Sequence, residues 1–239
     1  MDDRIRTYLE SDMGVALEAL PARGLCIRES PARTDTPNNR LAAYRLAGCD
    51  AALVTAIPSL ANTIRTLLAA MTVTELFSPL GIEEIGQAVP PQDRQGFIDG
   101  WIYTITDPKA FRPRIQHDVQ ALMTSDMPRV KREFGLAMRP GDEVQPEHLA
   151  WAFACYCRGE PVSIATISWN HGGTAQIAIA GTEGPYRRQG YGSTVVSAAT
   201  DCILQQNRAV LYETVSSNVP ALRMVRPLGF SLVFQRISL

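Results

Sequence analysis

The stretch that decides the reading of this chain is Tyr186-Arg187-Arg188-Gln189-Gly190-Tyr191-Gly192-Ser193. It follows an alternating run over 174–182 and opens a run with helical spacing over 193–206, so it is a turn between a strand and a helix. Two glycines in that turn let the backbone approach a ligand with no Cβ in the way. The free N–H groups at the start of a helix carry a partial positive charge that suits a phosphate. Arg187 and Arg188 add permanent positive charge beside them. Residues Arg187, Arg188, Gln189, Gly190, Tyr191, Gly192 and Ser193 are therefore expected to seat a pyrophosphate.

Two familiar phosphate motifs do not fit. In the dinucleotide fingerprint G-x-G-x-x-G the third glycine would fall at Val195. No Gly-Lys-Ser/Thr of a P-loop occurs. The pattern present is R-x-x-G-x-G, from Arg187 to Gly192. A second motif follows a strand expected over 209–215: Asn218-Val219-Pro220-Ala221-Leu222-Arg223-Met224-Val225-Arg226-Pro227-Leu228-Gly229-Phe230. Pro220 suits the first turn of a helix and Gly229 its left-handed exit. Asn218 lies 26 residues beyond Gly192, the span of one helix and one return strand.

Together these motifs resemble the acyl-CoA pyrophosphate loop and the closing Asn-to-Leu-Gly-Phe segment of the GNAT superfamily of N-acyltransferases. The resemblance covers 114–239 and implies an α/β (α+β) fold, a mixed central sheet with flanking helices. It also implies acetyl-CoA, or another acyl-CoA, as co-substrate and a small amine as acceptor, with no metal. In that family the pantetheine arm lies between two parallel strands that splay apart, here 176–182 and 210–215. Backbone groups of Ala180, Gly181 and Thr182 would bond the arm in the manner of an added strand, and one N–H would stabilise the oxyanion. Gly181 inside a strand signals either a bulge or a close backbone approach. Asn218 would bond the arm, cap the helix begun by Pro220, or do both.

The acid–base groups depart from the family pattern. An attacking ammonium must lose a proton to a base within reach. Gln176 stands where many members carry a glutamate, and Val225 where many carry the tyrosine that returns a proton to the thiolate. Glu213, five residues before Asn218, resembles the base position of the ribosomal-protein alanine acetyltransferases; as a structural carboxylate it would instead pair with an arginine. Tyr212 alternates to the other strand face. His171, in a hairpin with two glycines, reads as a turn residue.

The 239 residues suit one large or two small domains, with 46% hydrophobic and 20% charged residues, an ordinary globular composition. A net charge of −1 points to neither nucleic acid nor an acidic membrane surface. No run approaches the ~18 apolar residues of a membrane span, and Met1-Asp2-Asp3-Arg4 lacks a signal-peptide layout, so the cytoplasm is the expected compartment. Homodimerisation stays open. The five cysteines, Cys26, Cys49, Cys155, Cys157 and Cys202, form no disulfide framework. Cys155 and Cys157 would share a strand face as small apolar side chains, and His117, His148 and His171 are too scattered for a metal site.

The C-terminal part predicts a first strand over 115–123, a capped helix over 127–134, and a meander over 149–157, 162–169 and 174–182. The N-terminal part, 1–113, predicts a helix over 3–20, a polar loop over 31–39 and a hairpin of 41–46 with 51–57. A helix over 60–71 capped by Ser59, a short helix from Thr74 or Pro79 to Ala88 and a strand over 100–106 follow. The smaller lobe is either a degenerate GNAT-like half or a plain α/β accessory lobe, and without an R-x-x-G-x-G it is assigned no CoA site. Three functions are weighed. They are an acyl-CoA-dependent N-acyltransferase, a catalytically weak acyl-CoA-binding sensor or assembly subunit, and an acyltransferase fed by a carrier-protein thioester.

Overall fold

The computed structural model of the chain describes residues 1–36, 39–90, 98–105, 107–134 and 151–238. His148 and the expected strand ends at Leu149 and Thr106 lie outside the described residues. The chain divides into two compact units: Met1–Tyr103 with Thr214–Asn218 and Leu232–Leu239, and Thr104–Glu213 with Val219–Ser231.

In the first unit, helix α1 (Asp3–Met13) starts where Asp2 accepts the N–H of Arg4 at 2.8 Å. It buries Ile5, Leu9 and Met13, one stripe at helical spacing, and stops at Gly14, short of the expected Leu20. A mixed sheet follows from β1 (Gly24–Glu29), β2 (Leu41–Leu46) and β3 (Ala51–Ala56). β1 runs parallel to β3, and β2 runs antiparallel to β3 with Leu41 opposite Ala56. Helices α2 (Pro58–Leu68), α3 (Val73–Leu76) and α4 (Pro79–Gln87) bury Ile64, Leu68, Leu76 and Ile85 in one core with Leu41, Ala43 and Val54. Pro58 opens α2, so Ser59 lies inside its first turn and does not cap it. Of the two starts expected for the short helix, Pro79 is the one found, in α4, which Ser78 caps; a Thr72–Glu75 capping box starts the separate α3. β4 (Ile98–Thr104) and the last strand, β10 (Ser231–Ser238), complete this sheet in the order β1-β3-β2-β10-β4.

The second unit holds β5 (Gln120–Ala121), α5 (Met127–Glu133), β6 (Ala152–Cys157), β7 (Glu160–Trp169), β8 (Thr174–Thr182), α6 (Tyr191–Gln205), β9 (Ala209–Val215) and α7 (Val219–Val225). The sheet order is β9-β8-β7-β6-β5, antiparallel from β5 to β8 with β9 parallel to β8. The strand expected over 115–123 contracts to Gln120–Ala121. Ile115 is exposed, and residues 114–116 run along α6, where Arg114 N–H donates to Ser197 Oγ and Gln116 N–H to Thr194 Oγ1. A register shift between Cys155 and Tyr156 breaks the strict alternation expected there; Cys155 is buried and Cys157 half-buried.

α6 packs Val195, Val196, Ala199 and Ile203 on one face. On the other element group, Leu122, Val130, Ala152, Ala154 and Ile164 form a core with Phe134, Tyr156 and Ile179 against it. After α7 a single 3-10 turn, Arg226–Leu228, ends at Gly229 with φ +102°, the left-handed exit expected from the sequence. No described helix is long and apolar enough to cross a membrane.

Candidate functional site

β8 and β9 pair in parallel only from Thr174 opposite Ala209 to Ile177 opposite Tyr212. At that point the register between β7 and β8 also shifts: Ile167 faces Ile177 while Thr166 faces Ile179. Ala178 is the extra residue, a bulge whose backbone is free of the ladder. Of the two alternatives the sequence left for Gly181, a bulge or a close approach, the bulge falls at Ala178 instead, since Gly181 is in register with Ile164. Its missing Cβ serves packing instead, since a Cβ there would lie 2.7 Å from Phe134 Cδ1.

The N–H of Glu183 donates to Val162 at 3.0 Å, which makes that pair hydrogen-bonded. Bonded and non-bonded pairs alternate along an antiparallel ladder, so Gly181 is tied to Ile164. Ala180 and Thr182 then direct their backbone groups away from β7, to the flank on which β9 pairs. Of the three residues expected to receive an extended arm, Gly181 thus turns its backbone groups toward β7 and Ala180 and Thr182 turn theirs the other way.

The loop after β8 makes a 3-10 turn over Gly184–Tyr186 and enters α6 at Gly190, whose φ of +89° favours glycine. The first helical bond runs from Thr194 N–H to the Gly190 carbonyl at 3.0 Å. The N–H groups of Gly190, Tyr191, Gly192 and Ser193 precede it and are the orphan donors of the helix start. Ser193 Oγ donates to the Gly190 carbonyl at 2.8 Å. Arg187 Nε donates to the Thr182 carbonyl at 2.9 Å, bracing the loop against the strand end. Arg188 is exposed, at φ +61°. Gln189 closes the turn through its side chain, which donates to the Pro185 carbonyl at 2.7 Å.

Both glycines are hemmed in by protein. A Cβ on Gly190 would collide with Gln116 Oε1, and one on Gly192 would lie 3.1 Å from Thr182 Oγ1 and 3.3 Å from Met224 Sδ. His117 stacks on Tyr191, with ring centroids 3.7 Å apart and planes 9° from parallel, and its Nε2 lies 2.8 Å from the Gln189 carbonyl. A cavity of about 500 Å³ opens here, lined by Ile115, Gln116, His117, Asp118, Tyr156 and Tyr191. Burial and a hydrogen bond to Asp126 push the Tyr156 phenol up to about 12. Gln116, His117, Phe134 and Ala178 escape a sequence reading, because no motif marks them and each acts through distant partners.

Glu213 is half-buried on β9, and Gln176 Nε2 donates to its Oε2 at 3.4 Å. Tyr212 points to the other face, buried edge-on to Phe230, and burial pushes its phenol up to about 12. Val225 is fully buried. Asn218 lies in the 214–218 segment that groups with the first unit, its N–H donating to the Val215 carbonyl. His171 is an exposed turn residue. Among the described residues no group of three His, Cys, Asp or Glu is placed to hold a metal ion.

Residues 117–230 match the profile of the acetyltransferase (GNAT) family. Among solved structures, a protein described as a GNAT-family acetyltransferase from Novosphingobium aromaticivorans aligns over 60% of this chain and 64% of its own, at 14% identity and a TM-score of 0.51. A GNAT-family acetyltransferase from Colwellia psychrerythraea aligns over 60% of this chain and 56% of its own, also at 14% identity and 0.51. The chain thus spans less than two thirds of either relative, and the likeness establishes the fold. No curated protein matches the sequence.

Proposed function

We propose that this chain, which belongs to the GNAT acetyltransferase family through residues 117–230, transfers an acyl group from acyl-CoA to the primary amine of a small molecule. Acetyl is the acyl group we expect. The observation that carries the reading is the parting of β8 and β9 beyond Ile177 and Tyr212, beside the bulge at Ala178 and one short turn from the orphan N–H groups of α6. A pyrophosphate on the helix start would send the arm along β8, where the backbone groups of Ala180 and the N–H of Thr182 face away from β7.

Glu213 takes a proton from the attacking ammonium, and Gln176 orients its carboxylate. The amine nitrogen bonds the thioester carbon, the Ala178 N–H stabilises the oxyanion, and the carbon–sulfur bond breaks to release the CoA thiolate. We assign this chemistry to 114–239 and no CoA site to 1–113. Asn218, by its place in the motif, would bond the arm.

The binding-only reading draws support from one feature. Tyr212 and Val225 are buried, and neither offers a proton to the thiolate. Release of CoA thiol from acetyl-CoA and longer acyl-CoAs against a panel of small amines separates the two. Amine-dependent release supports the transferase; tight acetyl-CoA binding with release at background for every amine supports the sensor.

A further inference from the structure

The segment before β5 grips the helix start that the sequence marks as the phosphate seat. Arg114 and Gln116 donate their N–H groups to Ser197 Oγ at 2.9 Å and Thr194 Oγ1 at 3.1 Å, on two successive turns of α6. The Gln116 carboxamide fills the space beside Gly190. His117 then makes two contacts with the loop itself, a parallel stack on Tyr191 and a hydrogen bond with the Gln189 carbonyl. A carbonyl oxygen only accepts, so Nε2 carries the proton and the tautomer is fixed. Tyr191 is held on its edge by Tyr186, at 5.8 Å and 89°.

We propose that His117 is a positioning residue for acyl-CoA: it fixes the Gln189–Tyr191 backbone so that the orphan N–H groups of α6 converge before a pyrophosphate arrives. The inference rests on the acyl-CoA reading of the same loop. The physical argument is preorganisation. Gln189 and Gly190 lie outside the helical ladder, with Arg188 and Gly190 both at positive φ. Such a turn samples other backbone states unless side chains hold it, and binding must then bear the ordering entropy. His117 supplies the hold from outside the loop. Removing it should weaken acyl-CoA binding and leave the transfer step alone.

The test is calorimetric titration of the full chain with acetyl-CoA, paired with steady-state kinetics. His117→Ala should raise the acetyl-CoA Kd about tenfold, the size of one hydrogen bond and one ring stack together. His117→Phe keeps the stack and His117→Gln keeps a donor, so each should recover part of the loss. The KM for acetyl-CoA should rise while kcat and the amine KM hold, a split that general loosening of the fold does not produce. In a Tyr191→Ala background, His117→Ala should cost only about threefold, because the stack is already gone and only the hydrogen bond to the Gln189 carbonyl is left to lose. His171→Ala, a histidine removed from an exposed hairpin, serves as the control and should change nothing. His117 is half-buried at the surface, so its variants should melt with the parent. If the parent binds acetyl-CoA and His117→Ala binds within twofold of it, the inference is overturned and the acyl-CoA reading stands. A fall in kcat without a change in affinity also overturns it. If the parent binds no acyl-CoA, the functional reading fails and the inference falls with it.

Discussion

Gln176 and Glu213 meet across β8 and β9, amide nitrogen to carboxylate oxygen at 3.4 Å. Gln176 faces Leu211 in the parallel register, and Glu213 is two residues further along β9 on the same face. An amide is no base, but here it donates to the carboxylate we propose as one. A positioned base contributes on the order of 10²–10⁴-fold in rate. Glu213→Gln should therefore lower kcat by about that range while the acetyl-CoA Kd stays put. Gln176→Leu should lower kcat less, since the carboxylate remains and only its orientation is lost. A Glu213→Gln enzyme with parental kcat across pH would return Glu213 to a structural role.

The contact between Gly181 and Phe134 gives a stability prediction. A methyl group on Gly181 would stand 2.7 Å from Phe134 Cδ1, so the ring must move off the strand. Overpacking of this kind costs roughly 1–3 kcal/mol, and Gly181→Ala should lower the melting temperature accordingly. Phe134→Leu in the same chain should restore part of the loss by vacating the space. A bulge at Gly181 would have predicted no such rescue, and equal melting of the single and double variants would sink the packing account.

How much of this was legible in advance follows from where the information lies. β8 and β9 match the expected 174–182 and 209–215 to the residue, because alternation and flanking turns mark both. The exit at Gly229 was legible through a glycine that local geometry requires, whereas the helix expected over 193–206 begins two residues earlier, at Tyr191. β1 was not: Gly24–Glu29 shows no alternation, and its half-buried pattern comes from parallel pairing with β3 more than twenty residues away. Ile115 misled in the opposite sense, an apolar residue in an extended stretch that stays 60% exposed beside α6. The bulge at Ala178 is a property of two strands at once, and no single strand's sequence encodes it. His117 carried no spacing signal, since its partners Gln189 and Tyr191 lie over seventy residues on.

Cysteine reactivity should sort by burial. Cys49 is exposed, whereas desolvation, with Asp118 nearby, pushes the buried Cys155 thiol up to about 11. The thiolate is the reactive form, so a raised value means less of it at any pH below about 11. Titration of the native protein with a disulfide reagent at pH 8 should label Cys49 first and leave Cys155 until denaturant is added. Mass spectrometry of peptides quenched at early times reads the order directly, and early modification of Cys155 would contradict its placement.

Arg187 and Arg188 should differ in their response to salt, although they are neighbours of the same charge. Arg187 Nε holds the Thr182 carbonyl, so its removal loosens the loop as well as subtracting a charge. Arg188 is exposed and would act on a bound phosphate as a surface cation. Screening shortens from a Debye length of about 10 Å at 0.1 M salt to about 3 Å at 1 M. Arg188→Ala should weaken acetyl-CoA binding about threefold at low salt, the scale of an exposed charge contact, and its deficit should shrink toward nothing at 1 M. Arg187→Ala should weaken binding more and keep much of its deficit at 1 M, because a hydrogen bond that shapes the backbone is not a long-range charge effect. The measurement is acetyl-CoA affinity of both variants and the parent over that salt range. Parallel salt curves for the two variants would mean that Arg187, like Arg188, contributes only charge.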